Sequence, residues 1–376
     1  MTGNAPFYTF FKGRVALHAL LRAAGVGPGD QVLLPGYTCV VVPNAVNYTG
    51  AEPVYLDVDP ATGNLDCDKL EDGLGPAWQS DRAKVLIVQH TYGIPADMDR
   101  LGEFARRHGL LIIEDACHAL ASTWRGRPVG TLGDAAFFSS QWSKPVTTGL
   151  GGWCVVSSPD LRAKLEGVLP EYTRPGLGTG LMLELQHLAF SLLNHPRLFW
   201  VIQGLYRTLG RMGLAIGSST GDELSCERPV DYQKRMHPLQ VRRLERLLDG
   251  QDRFVAIRRR NTALIEAALQ QAGLPTVRLP DGCDAVFLRY PLQVDNKVDL
   301  LEAAKRERVR LGDWFLSPIH PNLDNWELAG YIPGTCPVAE DLSRRVVNIP
   351  TGAGLSETEI RRTVDFLARN AKAPHA

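Results

Sequence analysis

The 376-residue sequence predicts an α/β protein with a large, mostly parallel β-sheet between layers of helices, followed by a smaller α+β domain. In the first half of the chain, short apolar runs alternate with amphipathic runs, which is typical of strands alternating with helices. The apolar runs lack polar alternation, as expected of strands that are covered on both faces. A long amphipathic segment then separates this pattern from a second, shorter group of elements.

The first half of the sequence is read element by element from its apolar runs and their breakers. A helix is predicted over 15–24, where the stretch GVGPGD ends it. Further strands are predicted at 31–34, 53–56, 85–89, 110–114, 135–139 and 153–157, and further helices at 39–48, 67–74 and 98–108. Gly109 follows the last of these helices and is expected to stop it.

The second half predicts a bridging helix and a small lobe. Leucines and small apolar residues recur at helical spacing over 238–271, with a break near Gly250. The lobe that follows contains two predicted strands and two predicted helices, at 287–294, 346–349, 297–306 and 356–369. This division places a large domain at 1–237 and a small C-terminal domain at 238–376.

Charge and cysteine content exclude several classes of protein. Lys plus Arg and Asp plus Glu number 41 each, so nothing points to a nucleic acid or an anionic membrane as partner. The seven scattered cysteines never form a C-x-x-C pair, which fits reduced thiols and predicts neither a disulfide framework nor a metal site. The N-terminus lacks a signal-peptide pattern and no apolar run reaches membrane-spanning length, so a cytoplasmic location is expected.

The candidate site centres on Lys144, in the stretch FFSSQWSKPVTTGLGG between two predicted strands. A lone lysine is usually a solvated surface charge, and Asp115 at the end of another strand could equally cap a helix. Together, a lysine able to form a Schiff base and an aspartate able to pair with a protonated ring nitrogen meet the needs of pyridoxal 5′-phosphate. Its phosphate needs a helix N-terminus and hydroxyl groups, which Gly13, Arg14 and Ser139 offer.

Several motifs resemble the DegT/StrS family of sugar aminotransferases, and the resemblance extends over most of the chain. The most specific are GAEPVYLDVDPATGNLD at 50–66, TYGIPADMD at 91–99, HGLLIIEDACHALAST at 108–123 and GRPVGTLGD at 126–134. The resemblance implies the fold-type-I aminotransferase architecture, with a seven-stranded sheet in the large domain.

The resemblance implies how the ring of the cofactor would be held. Lys144 would form the Schiff base with pyridoxal 5′-phosphate, and Asp115 would pair with its pyridine nitrogen. His118 matches the position where the family has Gln or His near the phenolic oxygen. Related sugar dehydratases have histidine in place of the lysine, so Lys144 favours transamination.

The resemblance also implies how the phosphate would be held. Ser139 matches the phosphate-binding serine, and Gly13 and Arg14 stand where the family has Gly followed by Thr or Ser. The backbone N–H of Arg14 could still bind phosphate, while its guanidinium could add to that contact or reach a substrate phosphate. Gln233 matches an Asn that reaches the phosphate in the neighbouring subunit, so a homodimer with a shared active site is expected.

The activity implied is a ping-pong amino transfer. Glutamate or glutamine would be the donor, and a nucleotide-linked keto-deoxysugar, or less often a keto-cyclitol, the acceptor. Two alternatives are a dehydration or elimination on the same fold, and a regulatory protein that only binds the cofactor. The three residues Lys144, Asp115 and Ser139 argue against the second alternative.

The segment 166–228 is longer than the family segment that it replaces. Two apolar helices are predicted within it, at 181–193 and 198–216. One interpretation is that they pack against the body of the protein or extend a dimer interface. The other is that they cover the acceptor site or form an apolar surface for a membrane, a lipid-linked acceptor or a protein partner.

Overall fold

The large sheet is the centre of the fold. The computed structural model describes residues 7–75, 78–193, 221–322 and 324–373. Its seven strands are β1 (Phe7–Phe10), β2 (Gln31–Pro35), β4 (Glu52–Leu56), β5 (Ala83–Gln89), β6 (Leu111–Asp115), β9 (Ala135–Ser139) and β10 (Gly152–Val156). They lie in the order β1-β10-β9-β6-β5-β2-β4, and only β10 runs antiparallel to its two neighbours. The predicted mostly parallel, seven-stranded sheet is confirmed. Six of its strands correspond to the predicted apolar runs, and the seventh is the edge strand β1.

The helices agree with the prediction in most places. Those of the described ranges are α1 (Gly13–Ala23), α2 (Val41–Asn47), α3 (Met98–His108), α4 (Pro159–Val168), α5 (Leu177–Leu193), α6 (Gly221–Leu224), α7 (Pro238–Asp249), α8 (Gln251–Gln271), α9 (Lys297–Arg306), α10 (Pro337–Arg345) and α11 (Glu357–Asn370). The helix predicted at 67–74 is wrong, because this stretch forms consecutive turns. There the Asp66 carboxylate accepts the N–H of Asp68, which is how Asp competes with helical hydrogen bonds.

Helices cover both faces of the sheet. On one face α1 packs against α2, α4, β9 and β10, and every residue of α1 except Arg22 is buried. On the other face α3 contributes Leu101 and Phe104 to a second apolar cluster. The ends of α3 follow from its sequence, because the Asp97 side chain caps its first N–H groups and Gly109 ends it at a positive φ of 65°.

The C-terminal part has its own apolar core. Strands β12 (Arg289–Gln293) and β14 (Val346–Pro350) pair antiparallel, and α8, α9 and α11 pack around them. The predicted break in the bridging helix is confirmed, since α7 and α8 meet at Gly250. The domain boundary after residue 237 remains a prediction.

Short strands connect the two parts. Strands β3 (Thr38–Cys39) and β13 (Ile319–His320) pair in parallel, while β7 (Thr123–Trp124), β8 (Arg127–Pro128) and β11 (Cys283–Asp284) form a three-stranded sheet. The buried ammonium of Lys297 donates to the carbonyl oxygens of Asp313, Phe315 and Ser343. The segment 313–320 is therefore fixed both to the small lobe and, through β3, to the segment that follows β2.

A buried histidine in α1 makes the fold sensitive to acid. His18 bonds to the Tyr172 hydroxyl, and burial, with Arg228 and Arg22 adding to it, lowers the pKa of His18 from 6.5 to about 4. Between these pH values the unfolded chain binds a proton that the folded chain does not, so the stability present above pH 6.5 falls as the pH falls. We expect the unfolding free energy of a His18→Gln variant, from urea titrations, to vary less steeply with pH by about 1.4 kcal/mol per pH unit in this range. Parallel curves for the two proteins would contradict this assignment.

Candidate active site

The strand register brings the candidate residues to one end of the large sheet. Asp115 and Ser139 are the last residues of the parallel strands β6 and β9. Gly152, the first residue of the antiparallel β10, lies opposite Ser139 on one side and Phe10 of β1 on the other. Because α1 starts three residues after Phe10, its N-terminus lies at the same end. The edge predicted to bind a ligand is therefore assembled from four separate parts of the sequence.

The N-terminus of α1 and Ser139 form an anion cradle. No side chain caps this helix terminus, and the N–H of Gly13 makes no hydrogen bond to the residues described. Ser139 is a buried residue, and its hydroxyl makes no hydrogen bond to any of the residues described. A Cβ built on Gly13 would lie 2.9 Å from the carbonyl oxygen of Phe138 and 3.0 Å from Cβ of Ser139. These groups suit a phosphate, which takes hydrogen bonds from N–H and hydroxyl donors.

Gly152 allows the close approach between β10 and α1. A Cβ on Gly152 would lie 2.3 Å from both Cα and N of Gly13, so the helix terminus would have to shift. We expect Gly152→Ala to destabilise the fold by about 3 kcal/mol or more and to weaken cofactor binding. Urea unfolding and fluorescence titration with pyridoxal 5′-phosphate would measure both effects. Gly102→Ala in α3 is the control, since nothing lies within 4 Å of its Cβ and a helical Ala should be neutral or stabilising. Equal behaviour of the two variants would show that the close approach is unimportant.

Asp115 is buried at the centre of the site. One of its carboxylate oxygens accepts the N–H of Cys117. Burial raises the pKa of Asp115, and the positive charge of Lys144 opposes that rise. A cation placed against the carboxylate would stabilise its ionised form, as a protonated ring nitrogen does.

Lys144 lies in the loop between β9 and β10 and is partly buried. Its Nζ makes no ion pair or hydrogen bond with the residues described, although its charge acts on both Asp115 and His118. It lies 5.1 Å from the ring centroid of Trp314, a residue of the small lobe. An amine held close to a carboxylate but not paired with it is available for covalent chemistry.

His118 is held as a neutral imidazole. Its Nδ1 accepts the N–H of Tyr92, whose backbone has a positive φ of 58°. Its ring stacks on Trp314, with the centroids 5.3 Å apart. Burial, followed by the charges of Lys144 and Arg289, lowers the pKa of His118 well below its usual value. Its other nitrogen, Nε2, is then the one that carries a proton.

The structure adds three residues that the sequence did not indicate. Trp314, Arg289 and His320 come from the small lobe and lie around Lys144 and His118. They are placed by contacts between distant residues, such as the pairing of β3 with β13, in which each strand has only two residues, and the hydrogen bond from the Tyr92 hydroxyl to the Trp314 carbonyl. Strands of two residues are too short to show an alternating apolar pattern in the sequence. A single tryptophan next to Asp313 gives no pattern that could predict its place in the site.

Three other candidates have partners of their own. The guanidinium of Arg14 pairs with Glu223 at 2.6 Å, so only its backbone N–H faces the role expected in phosphate binding. Gln233 accepts a hydrogen bond from Arg228 and makes none to Lys144, Asp115 or Ser139. His90 follows the last residue of β5, so the sequence predicts it at the same rim, but it is fully buried and bonds to Glu114.

The first half of the long segment 166–228 lies against the lysine loop. Helix α5 confirms the helix predicted at 181–193, and its His187 bonds to the carbonyl oxygen of Thr147. Trp142 of the lysine loop contacts the rings of His187 and Phe190. The second predicted helix, at 198–216, lies outside the described residues. In the part of the chain that the structure describes, no helix has the length and apolar character needed to cross a bilayer.

Comparison with known proteins identifies the family. The family model of the DegT/DnrJ/EryC1/StrS aminotransferases matches residues 2–368. The chain belongs to this family. The predicted membership is thus confirmed, and with it the class of enzyme, because members of the DegT/StrS family are aminotransferases that use pyridoxal 5′-phosphate.

The relatives of this DegT/StrS member include several sugar and cyclitol aminotransferases. GDP-perosamine synthase of Caulobacter vibrioides is 47% identical over 153 residues, which cover 41% of this chain and 40% of that protein. L-glutamine:2-deoxy-scyllo-inosose aminotransferase of Streptoalloteichus tenebrarius is 39% identical over 284 residues, covering 75% and 57%. The first of these matches therefore spans about two fifths of the relative.

A solved structure of the family has the same fold. DesV of S. venezuelae superposes with a TM-score of 0.72 and 25% identity, covering 96% of this chain and 84% of that one. The fold predicted from the sequence is confirmed by this match. The residues of the site also fit the cofactor, since Ser139 offers a hydroxyl with no partner among the residues described, α1 an uncapped terminus and Lys144 an amine with no ion pair there.

Proposed function

We propose that this protein transfers an amino group from glutamate or glutamine to the carbonyl carbon of a nucleotide-linked keto sugar. The observation that carries the proposal is the convergence of Lys144, Asp115 and Ser139 at one end of the sheet, beside the uncapped terminus of α1. Membership of a sugar aminotransferase family supports the same reaction.

Each residue of the site has a role that follows from its surroundings. Pyridoxal 5′-phosphate, when bound, supplies an aldehyde that takes up the amino group and a ring that withdraws electrons from the substrate carbon. Asp115 holds the proton on the ring nitrogen, and Ser139 with the N–H groups at Gly13 and Arg14 holds the phosphate. Lys144 Nζ, unpaired and close to Asp115, removes and returns the proton at the substrate carbon. Trp314 and His118 close one side of the site and exclude water.

A keto-cyclitol is the second candidate acceptor. The relative that is 39% identical over three quarters of this chain is named for 2-deoxy-scyllo-inosose, which carries no nucleotide. The GDP-perosamine synthase match is closer in identity but shorter. The two acceptor classes therefore deserve the same test.

We also propose a homodimer in which the partner completes each active site. Gln233 is the residue expected to reach across. Its contacts within the chain are with Arg228, Thr173, Glu171 and Tyr172, and it makes no hydrogen bond to Lys144, Asp115 or Ser139. Sedimentation of the protein with bound cofactor would test the dimer.

The activity is tested by separating the two half-reactions. The protein with bound cofactor is mixed with glutamate or glutamine, and the pyridoxamine form is followed by absorbance and the keto acid by mass spectrometry. Nucleotide-linked keto sugars and keto-inositols are then added to the pyridoxamine form. Amination of one class identifies the acceptor. If neither donor produces the pyridoxamine form, the protein runs a different reaction on this fold.

A further inference from the structure

Arg289 is a cation without a partner beside the reacting groups. It opens strand β12, and its guanidinium carbon lies 4.2 Å from the ring centroid of Trp314. Lys144 Nζ lies 5.1 Å from the same centroid, so the two cations can be no further apart than the sum of these distances. Arg289 is partly buried and makes no hydrogen bond or ion pair with any residue that the structure describes.

A neighbouring arginine shows what a purely structural guanidinium looks like in this lobe. Arg258 is buried as well, and its Nη1 donates to the carbonyl oxygens of Phe287 and Leu288 and to the Thr351 hydroxyl. Arg289 lies one residue after Leu288 but has no such acceptor. Stacking on Trp314 compensates for only part of the cost of removing a guanidinium from water.

The surroundings of Arg289 favour an anion. Lys144 Nζ makes no ion pair or hydrogen bond with the residues described, and His118 and His320 are neutral because burial and the nearby cations lower the pKa of each. Asp313 acts on Arg289 electrostatically, yet no ion pair joins them. A carboxylate is the group that pairs with a guanidinium through two parallel hydrogen bonds.

We propose that Arg289 binds the α-carboxylate of the amino donor. This inference rests on the proposed amino transfer, in which the reacting carbon lies next to Lys144. In an amino acid the carboxylate is bonded directly to that carbon, so a residue that shares Trp314 with Lys144 can reach it. In a nucleotide-linked sugar the phosphates are separated from the keto carbon by sugar-ring atoms, which places them further from Arg289. Trp314 holds the guanidinium group in position when no donor is bound.

The test compares Arg289→Gln and Arg289→Lys with the exposed control Arg278→Gln, all with bound cofactor. We expect Arg289→Gln to raise the apparent dissociation constant for glutamate in the donor half-reaction by roughly 10- to 100-fold. The same variant should weaken calorimetric binding of glutarate, which has carboxylates but no amine, by a similar factor. Arg289→Lys should lie between, and binding of the acceptor by the pyridoxamine form should change less than about threefold.

Each other outcome has a definite meaning. Unchanged affinity for glutamate and glutarate would overturn the proposal. Weaker acceptor binding with intact donor binding would instead assign Arg289 to the phosphates of a nucleotide sugar, and would overturn it too. If Arg289→Gln unfolds, the folded Arg289→Lys variant decides. Weaker binding of glutarate by Arg289→Lys supports the proposal, and unchanged binding of glutarate overturns the paired guanidinium contact that it requires. If the wild type makes no pyridoxamine form with either donor, the proposed function fails, while glutarate binding still tests the carboxylate site.

Discussion

A Lys144→Ala variant is expected to lose the donor half-reaction by on the order of 10³-fold or more. The unpaired Nζ beside Asp115 is the group in the described part of the chain that is placed to move a proton at the substrate carbon. Single-turnover absorbance after mixing with glutamate measures the rate. The visible band of the lysine-linked cofactor should also be absent in the variant before any donor is added.

Two controls separate chemistry from folding in this experiment. Lys164→Ala removes an exposed lysine of α4 that pairs with Asp160, and it should leave the rate unchanged. Circular dichroism should show that Lys144→Ala is folded, since the Nζ of this lysine makes no hydrogen bond or ion pair with the residues described. Normal turnover by Lys144→Ala would show that this lysine does not move the proton. The proposed site would then rest on the phosphate cradle.

Glu114→Ala is expected to destabilise the fold by about 4 kcal/mol or more. Glu114 is fully buried beside Asp115, and its carboxylate accepts the N–H groups of Gly130, Leu132 and Gly133. It also accepts Nε2–H of His90, whose Nδ1 accepts the N–H of Ala96. Removing the carboxylate leaves four donors without an acceptor, of which those of Gly130 and His90 are buried and those of Leu132 and Gly133 half-buried. Each buried donor costs about 1–3 kcal/mol before the structure relaxes, and the half-buried donors cost less.

Urea unfolding at pH 7 measures this effect, with Glu103→Ala on the exposed face of α3 as the matched control. The control should change the unfolding free energy by less than about 0.5 kcal/mol. Glu114→Gln keeps an oxygen acceptor and should be milder than Glu114→Ala. A loss below about 1 kcal/mol in the alanine variant would mean that water or a backbone shift replaces the carboxylate.

The sequence was sufficient for the half of the site that the large sheet supplies. Asp115, Ser139 and Lys144 each follow a strand whose apolar run is readable, and the ends of parallel strands meet at one edge. The helix ends at Asp97 and Gly109 could be predicted for a similar reason, because caps are local in sequence.

The other half of the site depends on contacts between distant residues. Trp314 and Arg289 lie near Lys144 because the small lobe contacts the large domain at several places, among them the two-residue strand pair β3–β13, the Tyr92 hydroxyl on the Trp314 carbonyl and the Leu288 N–H on the Tyr92 carbonyl. The wrong helix at 67–74 has a local cause, since acidic side chains there accept backbone N–H groups that a helix would need. The guanidinium of Arg14 could not be placed either, because its partner Glu223 lies in the segment that is longer than its family counterpart.

The pairing of β3 with β13 also bears on how the protein is made. The Tyr37 hydroxyl accepts the N–H of Phe315, a contact between residues that are 278 positions apart, and the neighbouring backbone bonds span similar separations. A chain emerging from the ribosome can complete the large sheet long before it contains β13. The wall of the active site that carries Trp314 therefore closes last, and a nascent chain stopped before residue 319 would have the phosphate cradle without a finished substrate pocket.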